Sequence, residues 1–117
     1  MSRKLYEAKQ QSKPVKLSSR LDVPFIISFK YPLKNGYTFA EMRPEDNKAF
    51  QSFLNKVSNM TFNQVDTAHR KKSDVHDLYN GQQVIHYGVS GTFRIHGVIE
   101  NSRFKVIRLD PRHKFHS

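Results

Sequence analysis

The chain has 117 residues, of which 37% are hydrophobic, and it carries a formal net charge of +10. This length fits one domain with a small core, and the excess of Lys and Arg favours a polyanionic partner such as nucleic acid. The sequence contains no cysteine, which excludes disulfides, thiolate nucleophiles and Cys-ligated zinc. No apolar run is long enough for a membrane span or a secretory signal, so we expect a cytoplasmic protein without a membrane partner.

Residues 1–20 form a basic arm that precedes the predicted domain, residues 21–117. The arm holds six Lys and Arg residues and one acidic residue, Glu7. Such a segment either attaches to nucleic acid by charge or is a disordered terminus that keeps the protein soluble. All six histidines lie from His69 onward, where a second excess of basic residues is found. The C-terminal half is therefore the predicted working surface.

The first predicted strand is the β-branched and aromatic run from Val23 to Tyr31, which Pro32 ends. The pair Asn35-Gly36 is typical of a tight turn. The segment up to Phe39 therefore either returns as a short hairpin or connects to the next element.

Two helices are predicted next. Pro44 suits the first helical position, and an apolar stripe follows it at helical spacing. The residues of this stripe are Ala49, Phe50, Phe53, Leu54 and Val57. Thr61 and Gln64 have the spacing of a capping box, which predicts a second helix directly after the first. The connection is short, so we expect a helix hairpin that lies over a sheet.

Three strands follow a turn at Asn80-Gly81, and they are predicted at residues 83–89, 92–100 and 103–109. Ser90-Gly91 and Asn101-Ser102 are two-residue breaks suited to hairpins. The predicted fold class is therefore α+β, with a helix hairpin packed on an antiparallel β-sheet.

If Asn101-Ser102 is a two-residue turn, Glu100 lies opposite Arg103 and the two faces of the last hairpin can be assigned. One face is apolar enough to receive the helices; it comprises Phe93, Ile95, Gly97, Ile99, Phe104 and Val106. The opposite face is mixed and would suit a binding surface partly covered by another segment; it comprises Arg94, His96, Val98, Lys105, Ile107 and Leu109.

The C-terminal tail, residues 110–117, carries histidines and cations around one aromatic residue. RNA cleavage needs a base for the 2′-OH proton, a cation for the phosphate, and an acid for the leaving 5′ oxygen. His113, Arg94 and His116 have this chemistry, although each could equally be a solvated residue. Neither a Gly-rich phosphate loop nor a metal-ligand spacing is present, so we expect no cofactor and no metal.

The order strand, helix hairpin, three-stranded meander and basic tail, together with the run Thr92–Ile107, resembles the RelE/ParE superfamily of toxins. Phe93-Arg94-Ile95 is similar to the family's apolar-Arg-apolar strand signature, and residues 113–116 are similar to its C-terminal His-Tyr or related pair. The resemblance covers roughly residues 23–116. It implies a RelE-like fold and, from the YoeB-like branch, a ribosome-dependent mRNA endoribonuclease that an acidic antitoxin neutralises.

The resemblance also implies roles for individual residues. Arg94 would stabilise the phosphate, and His113 and His116 would share the base and acid roles without a metal. Phe115 stands where the family usually has tyrosine, and it lacks the hydroxyl. The predicted contacts to RNA are Arg70, Lys71, Lys72, Lys105, Arg108, Lys114 and Phe115.

Two alternatives share the same charges. The first is a non-catalytic nucleic-acid-binding protein, in which Tyr79, Tyr87 or Phe115 stacks on bases. The second is an interaction protein that docks an acidic partner on a sheet edge or on the basic tail.

Overall fold

The computed structural model describes residues 22–115, so the basic arm and His116 lie outside the described residues. Two helices pack on a five-stranded, mostly antiparallel sheet, which confirms the α+β class. The elements in chain order are β1 (Ile27–Ser28), a 3-10 turn (Phe39–Glu41), α1 (Pro44–Val57), α2 (Phe62–His69), β2 (Arg70–Lys71), β3 (Leu78–Tyr79), β4 (Gln82–Gln83), β5 (Ile85–Ser90), β6 (Phe93–Glu100) and β7 (Arg103–Asp110).

The main sheet has the strand order β1-β7-β6-β5-β2, and β3 and β4 form a separate two-stranded hairpin. β1 is parallel to β7, and every other neighbouring pair in the main sheet is antiparallel. Glu100 lies opposite Arg103, and Asn101 and Ser102 both have positive φ angles of 54° and 60°. Left-handed conformations at both central residues match the twist of a two-residue hairpin, so this predicted turn is confirmed.

Local capping explains where the helices begin. The Asp46 carboxylate accepts a 2.8 Å hydrogen bond from the Arg43 backbone N–H before α1. At α2, Thr61 Oγ1 accepts from Gln64 N at 3.2 Å, and Gln64 Oε1 accepts from Thr61 N at 2.9 Å. These bonds satisfy backbone donors that have no partner inside the helix, and both predicted helices are confirmed.

The main core lies between the two helices and one face of the sheet. Its buried residues from the helices include Phe50, Phe53, Val57, Phe62 and Val65. They meet Ile85, Tyr87, Phe93, Ile95, Phe104, Val106 and Leu109 from the strands. Burial of each large apolar side chain contributes about 1.5–3 kcal/mol, so this interface is the main source of stability.

A β-bulge in β7 changes which residues face the core. His96 pairs with Arg108 while the next residue, Gly97, pairs with Val106, so Ile107 is the extra residue. A bulge interrupts the strict alternation of a strand. Leu109 is therefore fully buried in the main core, and the prediction that it lies on the opposite face was wrong. The bulge also brings Arg108 to the face opposite the helices, which we call the outer face.

The first strand is shorter than predicted, since only Ile27–Ser28 joins the sheet. Before it, Phe25 N donates to Met60 O between the helices, and Val23 O accepts from Phe62 N at the start of α2. The segment after Asn35-Gly36 connects onward beside β7 instead of forming a hairpin, since Lys34 N bonds Ile107 O and Leu109 N bonds Tyr37 O.

Two further strand boundaries differ from the prediction, and one strand was not predicted. The run 83–89 is divided between β4 and β5, and Gly91 and Thr92, not Ser90-Gly91, connect β5 to β6. The basic run after α2 forms an edge strand, β2, that was not predicted.

Candidate nucleic-acid interface

The outer face holds a compact polar group, the Arg108 cluster, made of Asp77, His86, His96, Arg108 and Phe115. Arg108 donates from Nη2 to Asp77 Oδ2 at 2.5 Å and from Nε to His96 Nδ1 at 2.8 Å. His86 Nε2 lies 3.1 Å from the same Asp77 oxygen. Phe115 completes the cluster, since its ring centroid lies 3.6 Å from Arg108 Cζ.

The two histidines of the Arg108 cluster have defined hydrogen-bonding roles. Their rings stack with centroids 3.6 Å apart and an interplanar angle of 11°. Arg108 is always a donor, so His96 Nδ1 accepts and carries no proton. The Asp77 carboxylate is an acceptor, so His86 Nε2 donates to it. The strand pairing explains the stack, because His86 and His96 lie directly opposite each other on β5 and β6.

The Arg108 cluster is buried, which limits what its charges can do. Arg108 is 5% exposed and the Asp77 side chain is 7% exposed. Asp77 neutralises Arg108, and burial screens both groups from solvent. Arg108 was predicted to hold an RNA phosphate, but its charge is already paired inside the fold, and we assign it a structural role.

Lys105 has a similar environment on the same face. It is 5% exposed, and its Nζ lies 3.1 Å from Glu100 Oε1. Glu100 also accepts a 2.6 Å hydrogen bond from the Tyr31 hydroxyl, and this bond, followed by the one from Lys105, lowers the pKa of Glu100 below its usual value. The predicted RNA contact at Lys105 is therefore also occupied by a carboxylate.

Hydrogen bonds to the Asp110 side chain hold the beginning of the tail in place. Both oxygens of this carboxylate accept backbone bonds, one from Lys114 N and one from Phe115 N, each at 2.9 Å. Thr92 Oγ1 donates to Pro111 O at 2.8 Å, and Arg112 binds both oxygens of Asp46 on α1. The tail thus turns back so that Phe115 covers Arg108.

The predicted catalytic residues have different environments. Arg94 is partly buried on the outer face, directly opposite Asp110 in the sheet, and its Nη1 donates to Gly91 O at 2.6 Å. His113 is exposed and has a φ angle of 56° in the turn of the tail. The structure brings Arg94 and the start of the tail to the same end of the sheet, and it records no bond between Arg94 and His113.

The basic run at β2 divides between the two faces. Arg70 forms a 2.8 Å ion pair with Asp66 on α2, and Asp66 also accepts from the Tyr87 hydroxyl. Lys71 and Lys72 are exposed, as is Lys114 in the tail. Of the predicted RNA contacts, these three lysines and Arg70 are exposed, whereas Lys105 and Arg108 are buried.

Sequence reasoning missed part of this face and misjudged one residue. Asp77, His86 and the partners of Arg108 were not predicted, although the regular spacing of histidines along paired strands was a usable signal. Tyr87 was a candidate for base stacking, but it is fully buried, and burial raises its pKa far above the usual range. That prediction was wrong.

The Arg112–Asp46 pair makes the position of the tail sensitive to acid. The hydrogen bond from Arg112 holds the pKa of Asp46 below its ordinary value of 3.8. A lowered carboxyl pKa stabilises the fold above the unfolded-state pKa, and this stability is lost as the pH falls through the folded-state pKa. We expect Arg112→Ala to lower the Tm by a few degrees at about pH 7 and to have little effect at about pH 2.

Thermal unfolding by circular dichroism at both pH values tests this expectation. Arg103→Ala, at the exposed first residue of β7, removes the same charge without touching Asp46 and is the matched control. An equal Tm loss for Arg112→Ala at both pH values would contradict the assignment.

Comparison with known proteins identifies no relative: no family model, curated protein or solved structure matches the chain. Between residues 22 and 115, no helix is long and apolar enough to cross a membrane. The same described region contains no group of three or more residues placed to hold a metal ion.

Proposed function

We propose that the protein is a toxin-like, ribosome-dependent mRNA endoribonuclease of the cytoplasm, with a RelE-like fold and an acidic antitoxin as its protein partner. The observation that carries the proposal is the folding of the tail onto the outer face. Phe115 packs on Arg108, so the histidine-containing tail and the strand that bears Arg94 belong to one surface.

The charge of this surface fits RNA. Lys71, Lys72 and Arg94 have no carboxylate partner in any hydrogen bond or ion pair within residues 22–115, Lys114 is exposed in the tail, and the whole chain has a formal net charge of +10. Cations at a surface attract the phosphate backbone and lose this attraction as salt increases. Lys105 and Arg108 do not enter the proposed RNA surface, because each is buried against a carboxylate.

The proposed reaction is transfer of the phosphodiester to the neighbouring 2′ oxygen. One histidine of the tail removes the 2′-OH proton as the 2′ oxygen bonds to phosphorus, and the bond to the 5′ oxygen breaks. The other histidine returns a proton to that 5′ oxygen, while Arg94 stabilises the charge on the phosphate. The products are a 2′,3′-cyclic phosphate and a 5′-OH end.

Induction of the protein in cells tests this function through growth arrest and mapping of mRNA 5′ ends. We expect the wild type to arrest growth and to cleave mRNA during translation. Arg94→Ala is expected to slow cleavage by about 10²- to 10³-fold, and His113→Asn with His116→Ala by about 10²- to 10⁴-fold. Asn at position 113 keeps the left-handed backbone accessible, because asparagine tolerates positive φ.

Arg103→Ala is the matched control, since it removes a cation at the far end of β7 and is expected to leave cleavage unchanged. Absence of both arrest and cleavage with folded wild-type protein would reject the endoribonuclease.

A non-catalytic nucleic-acid-binding protein is the second candidate. The observation that favours it is the exposure of Lys71 and Lys72, on and directly after the edge strand β2, where they can bind phosphates by charge without any catalytic group. This candidate predicts RNA binding that weakens with salt and leaves the RNA intact.

A further inference from the structure

A shallow depression lies beside the Arg108 cluster, between β2 and the turn that connects β5 to β6. It has a volume of about 190 Å³ and is lined by Ala68, His69, Lys71, Arg94 and residues 88–91. The site is therefore formed by two cations, one histidine and a segment that includes two glycines.

Gly88 allows Lys71 to cross the sheet toward Arg94. A Cβ atom at position 88 would lie 2.5 Å from Lys71 Cε, so the lysine side chain occupies the space that any other residue would fill. Gly88 also lies directly opposite Arg94 in the pairing of β5 and β6. Because Gly88 has no side chain, the aliphatic part of Lys71 can lie over Gly88, the residue of β5 directly opposite Arg94.

Arg94 is held at the other side of the depression by its own backbone neighbours. Its Nη1 donates to Gly91 O at 2.6 Å and to Phe93 O at 3.3 Å. These bonds involve one nitrogen of the guanidinium, which has five N–H donors in all. The remaining donors can reach a ligand while the arginine keeps its position.

The fold brings these two cations together without a carboxylate between them. No acidic residue lines the depression, and neither Lys71 nor Arg94 has an ion pair within residues 22–115. By contrast, Arg70, Lys105, Arg108 and Arg112 each contact a carboxylate. Two cations that share one depression without a counterion repel each other, and an anion bound between them replaces this repulsion with attraction.

His69 lines the depression without adding a positive charge to it. Its Nδ1 lies 3.1 Å from Gly88 O, which can only accept, so the proton is on Nδ1. Burial, followed by the charges of Lys56 and Lys71, lowers the pKa of His69 below 6.5. The imidazole is therefore neutral near pH 7, and its Nδ1 proton is bonded to the backbone carbonyl of Gly88, a lining residue of the depression.

We propose that this depression binds a phosphate group, held by Lys71 and Arg94, and that in the cell the phosphate belongs to an RNA strand. A tetrahedral oxyanion matches a lysine ammonium and an arginine fork that face one small space. The assignment to RNA rests on the proposed function, whereas the chemistry of the site requires only a phosphate.

Binding of two probes tests the site without any cleavage. The probes are inorganic phosphate and a 2′-O-methyl oligonucleotide, which lacks the 2′-OH needed for the reaction. We expect both to shift the amide NMR signals of residues 88–91. We expect Lys71→Ala to weaken oligonucleotide binding about tenfold and to reduce the salt slope by about 0.7, the loss of one contact to a single strand.

Two matched variants make the test specific. Gly88→Ala keeps every charge but displaces Lys71, and we expect it to weaken oligonucleotide binding about three- to tenfold with an unchanged fold. Arg103→Ala removes a cation at the far end of β7, outside the depression and outside the proposed RNA surface, and we expect less than a twofold effect.

Equal binding by the Lys71, Gly88 and Arg103 variants would overturn the site even if the wild type cleaves RNA. Selective weakening in the first two, combined with no cleavage by the wild type, would support the site and reject the endoribonuclease. Shifts with inorganic phosphate alone would overturn the assignment to RNA.

Discussion

Asp77→Ala is expected to lower the free energy of unfolding by about 3–5 kcal/mol, because it leaves Arg108 as a buried charge without its counterion. Arg108 is 5% exposed and cannot turn to water without breaking its bond to His96 and its contact with Phe115. His86 loses the acceptor of its Nε2 proton in the same variant. The substitution therefore removes both the counterion of Arg108 and the hydrogen-bond acceptor of His86 in the Arg108 cluster.

Urea denaturation followed by circular dichroism measures this change. Asp22→Ala is the matched control, since Asp22 is exposed and its removal is expected to change stability by less than about 0.5 kcal/mol. Asp77→Asn keeps the shape and one acceptor, so we expect a smaller loss than for alanine. If Asp77→Ala and Asp22→Ala had the same stability, the Arg108 cluster would not stabilise the fold.

Gly97→Ala is expected to destabilise the protein by about 1–3 kcal/mol or more, because the space at this position is filled by backbone. A Cβ atom there would lie 2.5 Å from the Lys105 carbonyl oxygen and 2.9 Å from Phe104 Cζ. The strand β7 cannot move away freely, since it lies between β1 and β6 in the sheet. Gly97 is also next to the bulge, where the two strands approach closely.

Gly88→Ala is a natural comparison, because it makes the same change on the neighbouring strand. The three atoms nearest to its Cβ would all belong to the flexible stem of Lys71, so we expect a cost below about 1 kcal/mol. Thermal and urea unfolding of the two variants give the difference directly. A loss at Gly88 as large as that at Gly97 would contradict the close approach of β6 and β7.

The features that sequence predicted correctly depend on neighbouring residues. The capping box of Thr61 and Gln64, the apolar stripe of α1 and the turn at Asn101-Ser102 are each complete within a short segment. The turn also fixed the register of Glu100 and Arg103, and hence the faces of both strands as far as the bulge.

The features that were missed depend on residues distant in the chain. The bulge at Ile107 interrupts a pattern that looks regular in sequence, which is why Leu109 was assigned to the wrong face. Arg108 looks like any surface cation until its pairing with Asp77, which is 31 positions away, is known. The contact of Lys71 with Gly88 could not be predicted from the sequence either, because β2 was not predicted as a strand.

The parallel pairing of β1 with β7 has a consequence for the order of folding. Ile27 pairs with Phe104, and almost the whole described part of the sequence lies between these two residues. Closing so long a loop costs entropy before any contact is gained, whereas the hairpins of β5, β6 and β7 close locally. During synthesis, the helices and the β5–β6 hairpin can therefore form before β7 is made, and β1 can join the sheet only after β7, so the last step of folding joins an early segment of the protein to a late one.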